Sequence, residues 1–418
     1  MSERQFRTLK GMQDILQPDI VLWQKVEQAA REIFSVYGFQ EIRTPILESS
    51  SLFSRSIGES TDIVEKEMYN FIDKGDRPVS LRPEGTASVV RSYVEHNLDK
   101  LPSPQKFYYM GPMFRYERPQ SERFRQFYQI GVEAFGDAGP RIDAEVIAML
   151  ARLLTTIGLG GVAVQLNSIG CHACRPAYRE SLLEFFSGKK EGLCEDCRRR
   201  YERNPLRILD CKAAACRELR QGAPKITGHI CDGCRSHFEK LQDLLSILQV
   251  PYSLNSDMVR GLDYYTRTTF EVTSENLGSQ NAVAAGGRYD RLVREFGGPE
   301  TPAIGFAIGM ERVVSLLKKA ELLSPPSPAV FFAVLGEEAG NACLIYAARL
   351  RNQGIWVEVG DPATSLKSQM RRADRLNVRY VFIMGEDELR SGIIKWKSLV
   401  DTRQGQLAVS EMESFLAV

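Results

Sequence analysis

The segment from Met110 to Glu133, MGPMFRYERPQSERFRQFYQIGVE, constrains the fold of this chain more than any other. The β-rich runs FYYM and FYQIGVE flank the turn-like residues RPQSER, so the segment predicts an antiparallel hairpin. Its charged residues are four arginines and three glutamates: Arg115, Arg118, Arg123, Arg125, Glu117, Glu122 and Glu133. Arginine suits phosphate recognition, because its planar guanidinium stays charged and donates two parallel hydrogen bonds. The hairpin therefore predicts an anion site beside a pocket, with a solvated basic hairpin as the alternative.

Within this hairpin, FRYERP followed by RFRQF resembles motif 2 of the class II aminoacyl-tRNA synthetases. Four further segments narrow the resemblance to the histidyl-tRNA synthetase family: SLRPEGT at 80–86, RGLDYYTRTTFE at 260–271, AAGGRYD at 284–290 and GFAIGMERV at 305–313, which is similar to motif 3. They follow the family order over nearly the whole chain. We therefore expect an α+β catalytic domain built on an antiparallel sheet of the class II synthetase type. An inserted, mainly helical cysteine-rich subdomain and a C-terminal α/β anticodon-binding domain complete the expected fold.

The overall composition is that of a soluble globular protein. With 418 residues, the chain is long enough for two or three domains, each with its own core. Because 54 lysines and arginines nearly balance 53 acidic residues, a nucleic-acid partner can be inferred only from local patches. No apolar run approaches the roughly 18 residues of a membrane span, and MSERQFRTLKG lacks the apolar core of a signal peptide. We expect a cytoplasmic protein with reduced cysteines and no membrane partner.

Hydrophobic periodicity predicts three helices in the first part of the chain. They cover 20–37, 84–96 and 143–157, and the first ends at Gly38. A strand interrupted by Pro45 follows the first helix. This order is similar to class II motif 1, which builds the dimer interface in that family, so the resemblance implies a homodimer. A plain helix–strand packing unit explains the same residues equally well.

An insertion interrupts the strand-rich material on either side of it. Residues 171–240 contain 15 lysines and arginines against 10 acidic residues, so the insertion is locally basic. We expect four parts in the chain: a first catalytic part at 1–170 with motifs 1 and 2, the cysteine-rich subdomain at 171–250, a second catalytic part at 251–323 with the histidine signature and motif 3, and the anticodon-binding domain at 329–418.

Eight of the nine cysteines lie in the insertion as four close pairs: Cys171 and Cys174, Cys194 and Cys197, Cys211 and Cys216, Cys231 and Cys234. Three pairs have CxxC spacing, which is typical of zinc sites, and one is wider. Three of the four histidines, His172, His229 and His237, lie there too, so mixed ligation is open. The sequence predicts structural rather than catalytic Zn²⁺, with undetermined combinations of the pairs. Disulfides and free buried thiols are the alternatives.

The proline-rich run SPPSPAV at 324–330 predicts a domain boundary. Beyond it, the short β-rich runs VFFAVL, WVEV and YVFIMG alternate with helical stretches, which indicates a small α/β domain with a partly parallel sheet. Lys367, Arg371 and Arg375 follow each other at four-residue spacing on one helix face. A solvated face explains them, but the family carries an anticodon-binding domain here, which implies contact with tRNA.

The resemblance also implies which residues bind ATP, and ATP is expected together with Mg²⁺. Arg115 matches the arginine that grips the α-phosphate, Arg123 the residue toward the γ-phosphate, and Glu117 the contact to the adenine amino group. Phe127 is expected to stack on adenine, with Arg312 over the opposite face of the base. For Arg312, a salt bridge at a helix start is the alternative.

For histidine, the resemblance assigns the signature residue Arg260 to the substrate carboxylate and the α-phosphate, which makes it catalytic together with Arg115. The other histidine-binding positions are Glu84, Thr86 and Gln129 for the ammonium, and Glu133, Tyr264 and Tyr265 around the imidazole. Taken singly, Glu84 and Glu133 could be capping or salt-bridge residues. A buried carboxylate facing the imidazole would reject apolar amino acids, because they would leave it unpaired.

The predicted function is a ligase that activates L-histidine with ATP to histidyl-adenylate and transfers it to the 3′ end of histidine tRNA. Such chemistry needs positioning and charge stabilisation more than a general base. Accordingly, neither a nucleophilic triad nor a GxxxxGKS loop is apparent. The rival is a non-catalytic regulatory paralogue of ATP phosphoribosyltransferase. Such paralogues typically lose motif residues and the C-terminal domain, whereas Arg115, Arg260 and Arg312 are all present here.

Overall fold

The computed structural model describes residues 6–58, 61–119, 122–160, 162–259, 261–274, 282–320, 326–401 and 403–416. The chain divides into two compact units, 1–323 and 324–418. The strands of the first unit are β1 (Gln40–Glu41), β2 (Leu47–Ser49), β3 (Tyr69–Ile72), β4 (Pro78–Leu81), β5 (Gln105–Phe114), β6 (Gln126–Phe135), β7 (Val162–Ser168), β8 (Tyr252–Leu254), β9 (Thr266–Ser274), β10 (Ala282–Arg288) and β11 (Ala303–Gly309). Its α-helices are α1 (Asp19–Val36), α2 (Ser50–Ile57), α3 (Thr86–Glu95), α4 (Pro140–Thr156), α5 (Arg175–Ser187), α6 (Glu195–Arg203), α7 (Ala214–Leu219), α8 (Asp232–Ile247), α9 (Leu292–Glu295) and α10 (Met310–Lys319).

A large sheet forms the centre of the first unit. In the described part of the chain it has eight strands in the order β1-β5-β6-β11-β10-β9-β7-β8. The six central strands pair antiparallel, and only the outer strands β1 and β8 pair parallel to their neighbours. The predicted hairpin is confirmed: β5 and β6 pair along their whole lengths, from Gln105 opposite Phe135 to Phe114 opposite Gln126. The expected antiparallel sheet is therefore present, and the motif 2 hairpin lies next to its edge strand β1.

Three helices cover one face of this sheet. The predicted helix over 20–37 is α1, and its buried residues Leu22, Val26 and Ile33 form one apolar stripe. It packs with α4 and α10 in a single hydrophobic core that includes the strand residues Val132 and Phe306. The predicted helix over 84–96 begins two residues later, at the start of α3, and α4 begins three residues before its predicted start. Helix caps decide such boundaries, and apolar periodicity alone does not place them.

The insertion lies between β7 and β8 and is mainly helical. It contains α5, α6, α7 and α8. Helix α8 joins the core of the main sheet through Phe238 and Leu241. Other residues of the insertion, among them Leu182, Phe186 and Ile208, form a second core together with Tyr264 and Tyr265. The insertion thus packs against the rest of the first unit through two separate hydrophobic cores.

The second unit has the strands β12 (Val330–Val334), β13 (Val357–Val359), β14 (Tyr380–Met384), β15 (Ile393–Ser398) and β16 (Gln404–Ala408). Its α-helices are α11 (Glu337–Asn352), α12 (Leu366–Arg375), α13 (Glu386–Ser391) and α14 (Met412–Leu416). Strand β12 pairs parallel with β13 and β14, and β15 and β16 continue the sheet antiparallel. The predicted partly parallel α/β sheet is therefore confirmed. Among the described helices of both units, none is long and apolar enough to cross a membrane.

Candidate active site

A cavity of ≈ 300 Å³ is lined by residues of the first unit. Strands β6, β9, β10 and β11, the loop before β9 and the starts of α3 and α10 contribute to its walls. The lining includes each predicted histidine- or ATP-binding residue that the structure describes: Glu84, Thr86, Arg115, Glu117, Arg123, Phe127, Gln129, Glu133, Tyr264, Tyr265 and Arg312. Arg260, the other predicted catalytic residue, lies outside the described residues. Folding thus brings together positions that are more than two hundred residues apart in the chain.

Glu133 is the most deeply buried acidic residue of the cavity wall. Its side chain belongs to β6, and the residue is 1% exposed. Thr86 donates a hydrogen bond from Oγ1 to Glu133 Oε1 at 2.8 Å, and the Tyr289 hydroxyl donates a short bond to Oε2. Burial raises the pKa of the Glu133 carboxyl to about 8, although both hydroxyl donors act in the opposite direction. A cationic or N–H donor ligand would therefore be strongly favoured at this carboxyl.

Glu84 is held by the first turn of α3. Its two carboxylate oxygens accept hydrogen bonds from the backbone N–H groups of Thr86 (2.7 Å) and Ala87 (2.8 Å). Burial raises the pKa of the Glu84 carboxyl, while these two N–H donors lower it. The capping role that the sequence left open is thus present in the structure. The same carboxyl also lines the cavity, so capping fixes its position there.

Gln129 presents an unsatisfied acceptor beside these groups. It lies on β6 and lines the cavity, and its buried Oε1 has no hydrogen-bond partner among the described residues. A buried amide oxygen without a donor costs about 1–3 kcal/mol. Such an atom in a cavity wall indicates that a ligand supplies the missing donor.

Two tyrosines close the same end of the cavity. The rings of Tyr264 and Tyr265 lie 4.7 Å apart, and Tyr264 makes an edge contact with Tyr289 at 5.7 Å. Opposite them, Gly305 of β11 pairs with Glu133 in the sheet. A Cβ atom at Gly305 would overlap the Glu133 carboxylate and the main chain of Val132. Glycine is required at this position because the carboxylate occupies the space of a side chain.

The two glycines of AAGGRYD shape the sheet behind the cavity lining. Gly286 and Gly287 do not line the cavity, whereas Ala284 and Ala285 do. A Cβ atom at Gly286 would overlap the carbonyl oxygen of Gly305 on the neighbouring strand, and the ladder between β9 and β10 shifts register after Gly287. These glycines permit close strand packing and a bulge.

Arg115 lies at the other end of the cavity, directly after β5. Its Nε donates a 2.8 Å hydrogen bond to the carbonyl oxygen of Pro83, and among the described residues the terminal nitrogens of the guanidinium have no hydrogen-bond partner, which leaves them for a ligand. The guanidinium also lies over the Phe127 ring, 5.3 Å from its centroid. Main-chain anchoring and cation–π contact together hold this charge in place.

The remaining predicted ATP residues pair with protein groups. Arg123 forms an ion pair with Glu117 at 2.7 Å, so two residues assigned to different parts of ATP contact each other. Arg312 donates a short hydrogen bond to the carbonyl oxygen of Ala282. Its charge is largely buried, and burial lowers the pKa of its guanidinium. The ion pair at a helix start that was the alternative for Arg312 is not among the ion pairs found between described residues.

Sequence reasoning missed several residues of the lining, among them Glu271, Tyr289 and Glu311. All three lie inside the motif segments, where their positions beside recognised residues were the available signal. Glu311 accepts a 3.0 Å hydrogen bond from the backbone N–H of Tyr128, and burial raises the pKa of its carboxyl to about 7. The described lining contains six glutamates against three arginines. A polyphosphate would therefore need additional positive charge at this site.

The eight cysteines of the insertion form two clusters, which we name by their residues. The first cluster is Cys171, Cys174, Cys231 and Cys234, and the second cluster is Cys194, Cys197, Cys211 and Cys216. Within each cluster the sulfur atoms lie within 4.8 Å of one another. Neither cluster contributes to the cavity lining. The first and last pairs along the chain thus combine, and the two middle pairs combine, an arrangement that the sequence left undetermined.

The expected option of mixed histidine ligation is not realised among the described residues, because both clusters consist of cysteines alone. His237 lies instead in a buried network, where its Nε2 is 2.8 Å from Asp143 Oδ2. Thr268 donates to the same oxygen at 2.6 Å, and the fully buried Arg288 forms a short ion pair with the other. This network ties α8 of the insertion to α4 and the central sheet.

In the second unit, Lys367, Arg371 and Arg375 are exposed along α12. The neighbouring Arg372 differs, since it pairs with Glu358 at 3.0 Å. The three exposed cations form a basic face that is accessible to solvent. Both a solvated surface and a phosphate-binding surface have this character.

An antiparallel sheet whose cavity is lined by the arginines of motifs 2 and 3 is the architecture of a class II aminoacyl-tRNA synthetase. Residues 11–313 match the family model described as histidyl-tRNA synthetase, and residues 329–418 match the one described as anticodon binding domain. A histidine–tRNA ligase of Thermodesulfovibrio yellowstonii is 52% identical over 407 residues, which are 97% of this chain and 97% of that protein. That of Trichlorobacter lovleyi is 54% identical over 396 residues, or 95% and 94% of the two chains.

Among solved structures, the apo histidyl-tRNA synthetase of S. aureus superposes with a TM-score of 0.83 at 34% identity, covering 99% of this chain and 100% of that one. The match thus extends over nearly the whole length of both chains. The chain belongs to the histidyl-tRNA synthetase family.

Proposed function

We propose that this chain is a histidine–tRNA ligase, which activates L-histidine with ATP to histidyl-adenylate and transfers the histidyl group to the 3′ end of histidine tRNA. The observation that carries the proposal is that one cavity is lined both by a buried carboxyl, that of Glu133, and by anchored arginines. The carboxyl fits an imidazole N–H, and the arginines fit phosphate. The relatives that share about half of its residues have this activity by name.

The chemistry requires charge stabilisation rather than a general base. The histidine carboxylate attacks the α-phosphorus of ATP, a bond to that phosphorus forms, and the bond to pyrophosphate breaks. Negative charge accumulates around the phosphorus in the transition state. We assign this charge to Arg115, whose side chain is held by Pro83 and Phe127 before any ligand binds. A preorganised donor is effective because it does not reorganise during the reaction. Arg260 is proposed to share this role and to contact the histidine carboxylate.

Each polar group of histidine has a proposed partner. Glu133 accepts from the imidazole, and Tyr264 and Tyr265 enclose the ring. The ammonium group is proposed to bind Glu84, Thr86 and Gln129. The unsatisfied Oε1 of Gln129 supports this assignment, since an ammonium would supply the donor that the folded protein lacks. The hydrogen bonds that hold Glu84 at the start of α3 support the assignment as well. Because its carboxylate is already fixed, a cation can bind to it without the entropic cost of ordering the side chain.

The adenine moiety is proposed to stack on Phe127, with Arg312 at its opposite face and Glu117 at its amino group. The ion pair between Glu117 and Arg123 must open for Glu117 to contact adenine and for Arg123 to contact the γ-phosphate. Mg²⁺ is proposed to accompany ATP, and the excess of carboxylates in the cavity fits it. Glu271 and Glu311 would hold the ion, which would neutralise charge on the phosphates. Burial raises the pKa of the Glu311 carboxyl although Arg312 acts in the opposite direction, so a metal cation would further offset the cost of burying this carboxylate.

An assay of ATP–pyrophosphate exchange with histidine tests the proposal most directly. We expect exchange that depends on histidine and that other amino acids do not support. A regulatory paralogue would bind histidine without exchange. Its typical loss of the C-terminal domain does not apply, because residues 329–418 match the anticodon binding family model. Absence of exchange in a folded, histidine-binding protein would overturn the proposed activity.

The second unit is proposed to bind histidine tRNA through the basic face of α12. Removing residues 329–418 should leave pyrophosphate exchange detectable but strongly impair charging, because the cavity residues all precede this unit. In the full chain, a triple alanine variant at Lys367, Arg371 and Arg375 should raise the KM for tRNA by about tenfold, since phosphate contacts supply most of the affinity. These side chains are exposed, so folding should be retained.

The control for the triple variant is alanine at the exposed Arg349 of α11, which removes a positive charge from the same unit but not from this face. An unchanged KM for tRNA in the triple variant, or full charging by the truncated chain, would show that the unit does not hold the tRNA through α12.

We further propose a cytoplasmic homodimer. Protein synthesis takes place in the cytoplasm, which supports the location. The similarity of α1, β1 and β2 to motif 1 supports the dimer, and so do the exposed apolar residues Leu47, Phe71 and Ile72 on the small sheet β2-β4-β3. Light scattering that gives the mass of a single chain would contradict the dimer. The insertion is proposed to hold Zn²⁺ in a structural role, because its cysteines lie outside the cavity lining.

A further inference from the structure

The sulfur positions in the two cysteine clusters have the spacing of metal ligands. In the first cluster, Sγ of Cys174 lies 3.5 Å from that of Cys171 and 3.9 Å from that of Cys234. In the second cluster, Sγ of Cys194 lies 3.8 Å from that of Cys211. A tetrahedral Zn²⁺ site with Zn–S bonds of about 2.3 Å places its sulfurs about 3.8 Å apart. The observed distances therefore match one edge length of such a site.

These distances do not fit disulfides. An S–S bond is about 2.05 Å long, and all nine cysteines of the chain are free. Each cluster also brings four sulfurs close together, whereas a disulfide would join only two. Five of the eight cysteines are buried, namely Cys174, Cys197, Cys211, Cys216 and Cys234. Each cluster thus points its ligand atoms toward a common, largely enclosed centre.

Main-chain donors support thiolate in both clusters. The backbone N–H of Cys231 donates to Cys174 Sγ at 3.1 Å, and that of Cys194 donates to Cys216 Sγ at 3.3 Å. Hydrogen bonds to coordinating sulfurs orient the ligands and stabilise their negative charge. A guanidinium also accompanies each cluster: Arg175 interacts with Cys171 and Cys174, and Arg200 interacts with Cys197. A tetrathiolate Zn²⁺ centre has a net charge of −2, and the one guanidinium beside each cluster offsets part of it.

We propose that the insertion binds two Zn²⁺ ions, one in each four-cysteine cluster, and that the first ion positions the tyrosine wall of the histidine pocket. The second part of this proposal rests on the proposed function of that pocket, whereas the metal content does not. Small helices with little core of their own gain stability from metal, because binding free energy contributes directly to folding.

The connection from the first cluster to the pocket is short. Arg175 follows Cys174 directly and is the first residue of α5. Its guanidinium donates a short hydrogen bond to the carbonyl oxygen of Tyr265 and a 3.5 Å bond to that of Asp263. On the other side of the cluster, Gly170 accepts a 2.8 Å bond from the backbone N–H of Arg267. The residues flanking the cluster therefore hold both ends of the segment that carries the two pocket tyrosines.

The second cluster supports the same region from α6. Arg200 pairs with Asp62 at 2.7 Å, and Arg203 pairs with Glu65 at 3.1 Å. Asn204, which follows α6, donates a 3.0 Å hydrogen bond to Asp263 Oδ1. Cysteines of both clusters share one hydrophobic core with Tyr264 and Tyr265. Loss of metal would thus loosen the support of the pocket wall, although no zinc ligand contacts the substrate cavity.

Metal analysis of the full-length protein, purified without chelator, tests the first part. We expect two zinc ions per chain, one for each cluster, and Co²⁺ exchanged into the protein should give the visible absorption of tetrahedral thiolate ligation. One zinc per chain would contradict the two-site assignment. Absence of zinc, with all eight thiols reacting in the native protein, would overturn the proposal as a whole.

The double variant Cys174→Ser with Cys234→Ser tests the positioning role. It should retain one zinc ion, and its KM for histidine in the exchange assay should rise about tenfold while the KM for ATP changes little. Cys343→Ala is the matched control, because it removes the one cysteine that lies outside the insertion and should leave the zinc content and both KM values unchanged.

Arg175→Ala gives a test that does not depend on removing a zinc ligand. It should keep both zinc ions and still show the selective rise in KM for histidine. Its control is Arg179→Ala, an exposed arginine one turn along α5 that donates to Glu202 and not to the pocket segment. An unchanged KM for histidine in Arg175→Ala would overturn the positioning role. A rise in KM for both substrates would also contradict it, since general loosening would then explain the effect.

Discussion

Replacement of Arg115 with alanine should lower the rate of histidine-dependent pyrophosphate exchange by about 10²–10³, because it removes one preorganised donor to the developing charge. The loss should appear mainly in kcat, since the charge on the α-phosphate increases in the transition state. The protein should stay folded. The side chain is only partly buried, and its one hydrogen bond to Pro83 contributes little to global stability.

The matched control is Arg118→Ala in the same hairpin. Arg118 is exposed and does not line the cavity, so exchange should proceed at nearly the wild-type rate without tRNA. Arg260→Ala should resemble Arg115→Ala, since both are assigned to the α-phosphate. If Arg115→Ala exchanges pyrophosphate as fast as Arg118→Ala, the assignment of the phosphate site is wrong.

Glu133→Ala should lower kcat/KM for histidine by about 10² or more, because truncating one partner of a buried charged pair costs about 2–5 kcal/mol. The KM for ATP should change little, since Glu133 interacts with Thr86 and Tyr289 and not with the arginines of the phosphate site. Measuring exchange with each substrate varied in turn separates the two effects. Discrimination against amino acids of similar size should weaken at the same time.

The pH dependence offers a second measurement on the same residue. With a pKa of about 8, the Glu133 carboxyl of the free enzyme is protonated below pH 8 and charged above it. An imidazole N–H requires the charged carboxylate as its acceptor. Because kcat/KM reports ionisations of the free enzyme, its value for histidine should rise with pH and level off above about 8. In Glu133→Gln, the plot of kcat/KM for histidine against pH should lack this rise, because an amide does not titrate.

Glu145→Ala serves as the control for these variants. Glu145 lies on α4 and pairs with Lys106 away from the cavity, so both KM values and the pH profile should be unchanged. A Glu133→Ala variant in which the KM for ATP rises and that for histidine does not would show that the two ends of the cavity have been assigned in reverse.

Much of the architecture can be predicted from the sequence because it depends on local patterns. The β5–β6 hairpin follows from two β-rich runs around a turn, and α1 follows from apolar residues at helical spacing. The motif residues lie in such elements, so their type and order along the chain indicate the family before any contact is known. Helix starts are less predictable, as α3 shows. Its first turn is set by the carboxylate of Glu84 and not by apolar spacing.

By itself, the sequence determined the family, the order of the elements and the chemical types available to the site, because each of these depends on residues close together in the chain. Only the tertiary structure decided which distant groups meet. Strand register places Glu133 opposite Gly305, and packing joins Cys171 and Cys174 to Cys231 and Cys234 rather than to the nearer pairs. The physical reason is that these contacts are closed by long loops, whose ends are brought together by burial of the whole core and not by any local preference.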